Sequence, residues 1–182
     1  QPVRQGRQGR QLDQLGQAFL RDRGVWISFD AGRWGGPHSH GSRNSLQLWA
    51  HGRPLLVDPG ILDYGRTAMG RHGRSTRAHN TAAVNGWNQG ETRARLEVER
   101  MDGHDLLTGR FAGAWWSGER DWEWHPDRGR GVRGVHARSV AWLPEVGALV
   151  VLDEVESAEA EWIEVNWQLA PGPVEVDGQG AR

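Results

Sequence analysis

Residues 29–89 read FDAGRWGGPHSHGSRNSLQLWAHGRPLLVDPGILDYGRTAMGRHGRSTRAHNTAAVNGWNQ, and both the fold and the chemistry of the chain turn on them. A run of β-formers, Val25-Trp26-Ile27-Ser28-Phe29-Asp30, leads into the stretch. Ser45-Leu46-Gln47-Leu48-Trp49-Ala50 is the next strand, with Leu46 and Leu48 on one face and Gln47 and Trp49 on the other. His51-Gly52-Arg53-Pro54 is a tight turn and Leu55-Leu56-Val57-Asp58 a short buried strand. The resulting hairpin brings Asp58 back towards the loop that carries His38 and His40. Residues 59–78 are mostly Gly, Arg, Ser and Thr with little to bury, and they read as one long loop of the kind that carries function. Thr81-Ala82-Ala83-Val84-Asn85 resumes as a strand and turns at Asn85-Gly86.

Outward from this stretch, residues 1–10 lack periodicity and read as a linker or disordered tail. Leu12, Leu15, Phe19 and Leu20 fall at helical spacing, which predicts a short helix over 11–20, ended at Gly24. Further strands are expected at 93–100, 104–112, 120–125, 134–143, 147–153 and 161–169. Many short strands with Gly-rich turns predict an all-β domain over residues 11–182, an antiparallel β-sandwich with a short N-terminal helix.

Composition narrows the function. A chain of 182 residues can bury a real core. The net charge of −1 gives no global field for nucleic acid or an anionic membrane, and no apolar run reaches membrane-spanning length. All 22 basic residues are arginine, whose planar fork suits carboxylates. The absence of cysteine excludes disulfides and thiolate metal sites. The N-terminus has no starting Met and no apolar signal region, so a fragment or processed product is expected. Eleven Trp stand against 3 Phe and 1 Tyr. Trp stacks on sugars, but its first use in β-proteins is core packing.

His38 and His40 alternate, and on an extended segment both project to one side. They can bind one metal together, or one can be a ligand while the other faces substrate. Asp58 and His79 join them only through the fold. Two imidazoles and a carboxylate suit Zn²⁺, with water or another ligand completing a tetrahedron. Each residue also has a plainer reading. The histidines can be separately satisfied, and Asp58 can cap its Asp-Pro-Gly turn. Tyr64 can be a core or rim residue, and Arg71, Arg74 and Arg77 a solvated loop face. His51 and His72 read as surface residues, and His104, His125 and His136 as cross-strand partners.

Several runs in order, Phe29-Asp30-Ala31-Gly32, Gly36-Pro37-His38-Ser39-His40, Gly52-Arg53-Pro54-Leu55-Leu56-Val57-Asp58-Pro59-Gly60, Tyr64, Arg74-Ser75-Thr76, Ala78-His79-Asn80-Thr81, Asn85-Gly86 and Gln89, resemble the heparinase II/III-like polysaccharide lyases. His136-Ala137-Arg138-Ser139-Val140 and Val150-Val151-Leu152-Asp153-Glu154-Val155 resemble the same family's C-terminal β-domain. The resemblance implies an N-terminal α/α toroid elsewhere in the parent chain and one structural zinc per chain on His40, Asp58 and His79. It implies that His38 and Tyr64 serve catalysis, that Arg74, Asn80 and Gln89 bind substrate, and that the partner is an anionic, uronate-containing polysaccharide cut by β-elimination. A periplasmic or secreted location is implied too. Family members often carry an acid where this chain has Ser42, and an apolar residue where it has Asn44. A non-catalytic carbohydrate-binding or assembly module on the same scaffold is the alternative. A cupin-like metalloenzyme is a third reading, disfavoured because no Glu follows the His pair within residues 41–45.

Overall fold

Alternation along Val25–Asp30 separates inside from outside: Val25, Ile27 and Phe29 are buried, while Trp26, Ser28 and Asp30 point the other way. The structure, a computed structural model, describes residues 8–12, 15–32, 38–65, 67–118, 130–172, 176–177 and 180–181. Five strands, β1 (Gln8–Leu12), β2 (Gln17–Asp22), β3 (Val25–Asp30), β4 (Ser45–Ala50) and β5 (Arg53–Leu56), form an antiparallel meander in that order. Helix α1 (Ala68–Arg74) and β6 (Ala82–Val84) lead to the second sheet. That sheet comprises β7 (Asn88–Gln89), β8 (Ala94–Arg100), β9 (Asp105–Trp116), β10 (Gly131–Leu143) and β11 (Ala148–Glu156). Its order is β11-β10-β9-β7, with β8 also paired to β9. β12 (Ile163–Val165) pairs with β6, and β13 (Val176–Asp177) with β14 (Gly180–Ala181).

The inner faces of the two large sheets supply the core. Phe29 and Leu46 pack with Phe111, Trp115, Val132 and Val140, and Leu20, Ile27 and Ala50 pack with Trp142. The antiparallel sandwich predicted from the strand pattern is present. The predicted helix over 11–20 is not: Gln11 and Leu12 lie in β1 and Gln17–Leu20 in β2, which pair antiparallel, with Gly16 N–H donating to Leu12 O at 2.9 Å. Gly16 sits at φ +69, and a Cβ there would lie 2.5 Å from Gly32 Cα. The helical spacing of the leucines was a coincidence of a strand, a turn and a second strand, and tertiary contact decided between them. Gln8–Arg10, expected in a tail, lie in β1, and residues 1–7 fall outside the described set. The strand expected at 120–125 and His125 also lie outside the described residues. The loop predicted for 59–78 contains α1, capped by Thr67 Oγ1, which accepts from Gly70 N–H at 3.0 Å. Gly70 and Gly73 disguised this helix. A Cβ at Gly70 would lie 2.6 Å from Gly65 O, so close packing demands what low helix propensity hid.

One buried polar group ties the layers together. Arg138 on β10 is fully buried, and its Nε and Nη2 fork the carboxylate of Asp153, its register partner on β11, at 2.7 and 2.9 Å. Its Nη1 donates to Asn44 O at 3.0 Å and to Asn80 O, and its guanidinium lies 4.9 Å from the Trp167 ring centroid. His136 Nε2–H donates to Asp153 Oδ1 at 2.7 Å, the tautomer in which Nδ1 accepts from the Asn44 amide. That amide also donates to His136 O at 2.9 Å, and Asn44 adopts φ 62 in the turn before β4. The expected cross-strand role of His136 is met, and Asn44 is polar because its buried amide has this work.

Burial alone would raise the Asp153 pKa, but the hydrogen bonds from His136 and Arg138 outweigh it and hold it at about 2. Burial pushes the His136 pKa below 6.5, against the pull of Asp153. Both folded values lie below the unfolded ones, so the unfolded chain binds more protons and acid destabilises the fold. The Asp153 contribution is whole above its unfolded value of 3.8 and is lost as pH falls towards 2. The His136 loss begins just under pH 6.5. We expect the melting midpoint to fall on acidification from neutrality, in two steps. Asp153→Asn should shrink the lower step, to which Asp58 also contributes, and cost about 3 kcal/mol at neutral pH, several degrees in midpoint. An unchanged neutral midpoint would sink this account of the tie.

Candidate functional site

The outward face of the first sheet is the floor of a pocket of about 540 Å³. Antiparallel register places Gln17, Asp30 and Ser45 in one row and Ser28 and Gln47 in the next, and all five line the pocket. Residues His38 to His40, with Ser42 and Arg43, form one wall, and Asp58 and His79 close another. The wall is pinned: Arg43 N–H donates to Gln89 Oε1 at 2.6 Å, and Thr81 Oγ1 donates to Arg43 O at 2.6 Å.

Asp58 caps its Asp-Pro-Gly turn and also reaches His79, using the two oxygens of one carboxylate. Oδ1 accepts from Gly60 N–H at 2.9 Å, capping the turn, while Oδ2 lies 2.6 Å from His79 Nδ1. Burial works to raise its pKa, but the hydrogen bond and charge of His79, the Gly60 amide and the charge of His40 bring it below the ordinary value. The His40 ring centroid lies 5.2 Å from that of His79. His79 Nε2 is buried and has no hydrogen-bond partner in the fold. Thus the fold brings His40, Asp58 and His79 together. Among the described residues, no group of three His, Asp or Glu side chains is arranged to hold a metal ion as it stands. The donor set nonetheless fits zinc in kind, and His79 brings a buried nitrogen with nothing else to bind.

His38 does not follow His40. It is exposed on a segment that is not a strand, and its ring meets that of Tyr64 edge-on at 6.0 Å. The two histidines therefore face different neighbours, one towards His79 and one towards the rim. Tyr64 is 59% exposed, which excludes the core reading. Asp30 and Arg43 are pocket residues that sequence reasoning missed. Burial raises the Asp30 pKa, and the Arg43 guanidinium pulls it back. Arg43 is itself buried and donates from Nη2 to His40 O at 2.5 Å. The signals were there: Asp30 alternates with Trp26 and Ser28, and Arg43 stands three residues beyond His40.

The residues expected to bind substrate turn inward. Arg74 is buried, with Nη1 donating to Gly70 O at 3.3 Å and Nη2 to Asp63 O at 3.2 Å, and so belongs to no solvated loop face. Arg77 bridges Glu164 at 2.5 and 3.0 Å, with its guanidinium 5.3 Å from the Trp162 ring centroid. Asn80 is fully buried, donating to Leu46 O at 2.8 Å and Val57 O at 2.9 Å and accepting from Gln168 N–H at 2.5 Å. Gln89 is equally buried and grips both ends of the Arg43 peptide frame, at 2.6 and 3.1 Å. Arg74, Asn80 and Gln89 hold the loops that build the pocket; their amides and guanidinium are directed into the protein, not at a ligand.

The sequence matches the family described as heparinase II/III-like, C-terminal, over residues 4–181. Among solved structures, the heparan sulfate lyase HepC from Pedobacter heparinus is similar with TM-score 0.73 and 22% identity, over 93% of this chain and 25% of that one. A heparinase III structure is similar with TM-score 0.75 and 18% identity, over 94% of this chain and 26% of that one. The chain thus spans about a quarter of the length of the solved structures it matches. No curated protein sequence matches it. The family match displaces the cupin reading.

Removing an inward amide should cost stability. Asn80→Ala and Gln89→Leu are each expected to lower the free energy of unfolding in urea by about 2–4 kcal/mol, because each removes two or more hydrogen bonds to buried backbone groups. A variant that kept wild-type stability would return that side chain to the ligand-facing class.

Proposed function

The chain belongs to the heparinase II/III-like C-terminal family, and we propose from that premise that it is the β-sandwich portion of a lyase that cleaves a uronate-containing polysaccharide by β-elimination. The observation that carries this reading is the meeting of His38 and Tyr64 at 6.0 Å beside a pocket walled by a buried arginine, Arg43. In β-elimination the C5–H bond breaks, its electron pair forms the C4=C5 double bond, and the C4–O bond breaks with its oxygen taking a proton. Negative charge grows on the C5 carboxylate, and donors aimed at it lower the barrier. Arg43 sets positive charge in the wall. His38 is placed to bind that carboxylate or take part in proton transfer, and Tyr64 to protonate the departing oxygen. The remaining catalytic groups belong to the α/α toroid of the parent chain. In this proposal His40, Asp58 and His79 hold zinc, which when bound supplies a cross-link between three segments of the pocket wall.

A non-catalytic carbohydrate-binding module is the second reading. It is favoured by tryptophans left on the surface, Trp26 and Trp49 among them.

The test is absorbance of the unsaturated product with the full-length parent and its His38→Ala variant. The parent should cleave, His38→Ala should lower kcat by about 100-fold or more, and the 182-residue chain alone should be inactive. A parent that binds polymer without cutting it would put the second reading first, and unaltered kcat in the variant would remove His38 from the chemistry. Elemental analysis of the chain should find about one zinc, lost in His40→Ala together with thermal stability.

A further inference from the structure

The pocket floor does not end at Ser28 and Gln47. The next row of the same outward face holds Trp26 on β3 directly opposite Trp49 on β4, with Arg21 opposite Trp26 on β2. Trp26 is 37% and Trp49 44% exposed. Phe19, in the Ser28 row, stacks on Trp26 with centroids 6.3 Å apart and planes inclined by 29°. Arg10 on β1 lies opposite Phe19, and both Arg10 and Arg21 are exposed. Among the outward positions of β1 to β4, the one acid is Asp30, at the pocket end beside Arg43. The face therefore runs from polar floor to aromatic platform flanked by cations.

We propose that Trp26 and Trp49, with Phe19, Arg10 and Arg21, form an extended subsite for an anionic, uronate-containing oligosaccharide whose reacting end lies in the pocket. This rests on the lyase reading of the pocket. Three properties of the face select that occupant. Large flat apolar rings at a wet surface match the C–H faces of pyranose rings, and two such rings side by side give a platform one chain wide. Arginines flanking the rings match carboxylates or sulfates along the polymer, by planar two-pronged hydrogen bonding. The platform is also continuous with the pocket, since Phe19 shares a row with Ser28 and Gln47 of the pocket floor. Alternate residues along a strand lie about 6.8 Å apart, so the Asp30 row and the Trp26 row are separated by about 13 Å. That span accommodates roughly two to three sugar units, so a disaccharide seated at the Asp30 row falls short of the tryptophans and a hexasaccharide reaches them.

The test measures binding of heparan sulfate oligosaccharides to the 182-residue chain by calorimetry, using a disaccharide and a hexasaccharide, with neutral cellohexaose as control. Variants are Trp26→Ala/Trp49→Ala, the conservative Trp26→Phe/Trp49→Phe, and Arg21→Ala, each checked for wild-type circular dichroism. We expect the double alanine variant to weaken the hexasaccharide by at least about 10-fold while leaving the disaccharide unchanged, and the double phenylalanine variant to retain most of the affinity. Arg21→Ala should weaken the charged ligand and not the neutral one. Hexasaccharide affinity unchanged in the double alanine variant, with His38→Ala still weakening it, would overturn the platform and leave the lyase pocket standing. Neutral and charged hexasaccharides binding equally well would overturn the uronate assignment itself. A shift in oligomeric state by light scattering, with sugar affinity unaltered, would reassign the tryptophans to a protein interface.

Discussion

The fork between Arg138 and Asp153 is the constraint on which the remaining geometry depends. A guanidinium fully enclosed by protein is costly unless its hydrogens find acceptors, and here they are directed to one carboxylate and two main-chain carbonyls. Those carbonyls belong to Asn44 and Asn80, which flank the two segments that build the pocket wall. The position of the wall is therefore set from beneath, by a charge on the opposite sheet. Asn80 repeats the device at shorter range: its amide holds Leu46 O and Val57 O, so the end of the hairpin that carries Asp58 is tied to the segment that carries His79. The distance between Asp58 and His79 follows from these ties, because neither residue has a local reason to meet the other.

Such an arrangement explains why residues with the chemistry of ligand binders are buried. A pocket wall made of turns has main-chain groups that no ladder satisfies, and each must find a partner. Side-chain amides and arginines are the available partners. Gln89 satisfies the Arg43 peptide, and Arg74 satisfies carbonyls of α1 and of the loop before it. In sequence these residues stand beside true rim residues and share their polarity, so residue type alone cannot sort them. Only the direction of the side chain can, and direction comes from long-range contacts.

What was legible in the sequence follows the same division. Two strands announced themselves by alternation: Val25–Asp30 and Ser45–Ala50 were read with their bounds as observed. The encounter of His40, Asp58 and His79 was legible through family resemblance and not through spacing. The β1–β2 hairpin and α1 were not legible, for opposite reasons. In the first, leucines on either side of a turn imitated helical periodicity. In the second, glycines required by close packing erased it. Asp30 was overlooked because an outward residue at a strand end normally faces water, and here the His38–Arg43 segment covers it.

Two of the buried polar atoms that the fold leaves without a partner, Ser45 Oγ and His79 Nε2, belong to residues lining the pocket. An orphaned polar group costs about 1–3 kcal/mol, a sizeable share of the stability of a domain. Many buried polar side chains are well satisfied, as the multiple bonds of Asn80, Gln89 and Arg138 testify, yet Asn44 Oδ1 and Asn166 Nδ2, outside the pocket, carry the same cost. What sets the two pocket atoms apart is that their side chains line a cavity, where a bound group could supply the missing partner. In the proposed function, a metal ion at His79 or a sugar hydroxyl at Ser45 would recover part of that cost. Such binding would draw on a deficit already present in the fold.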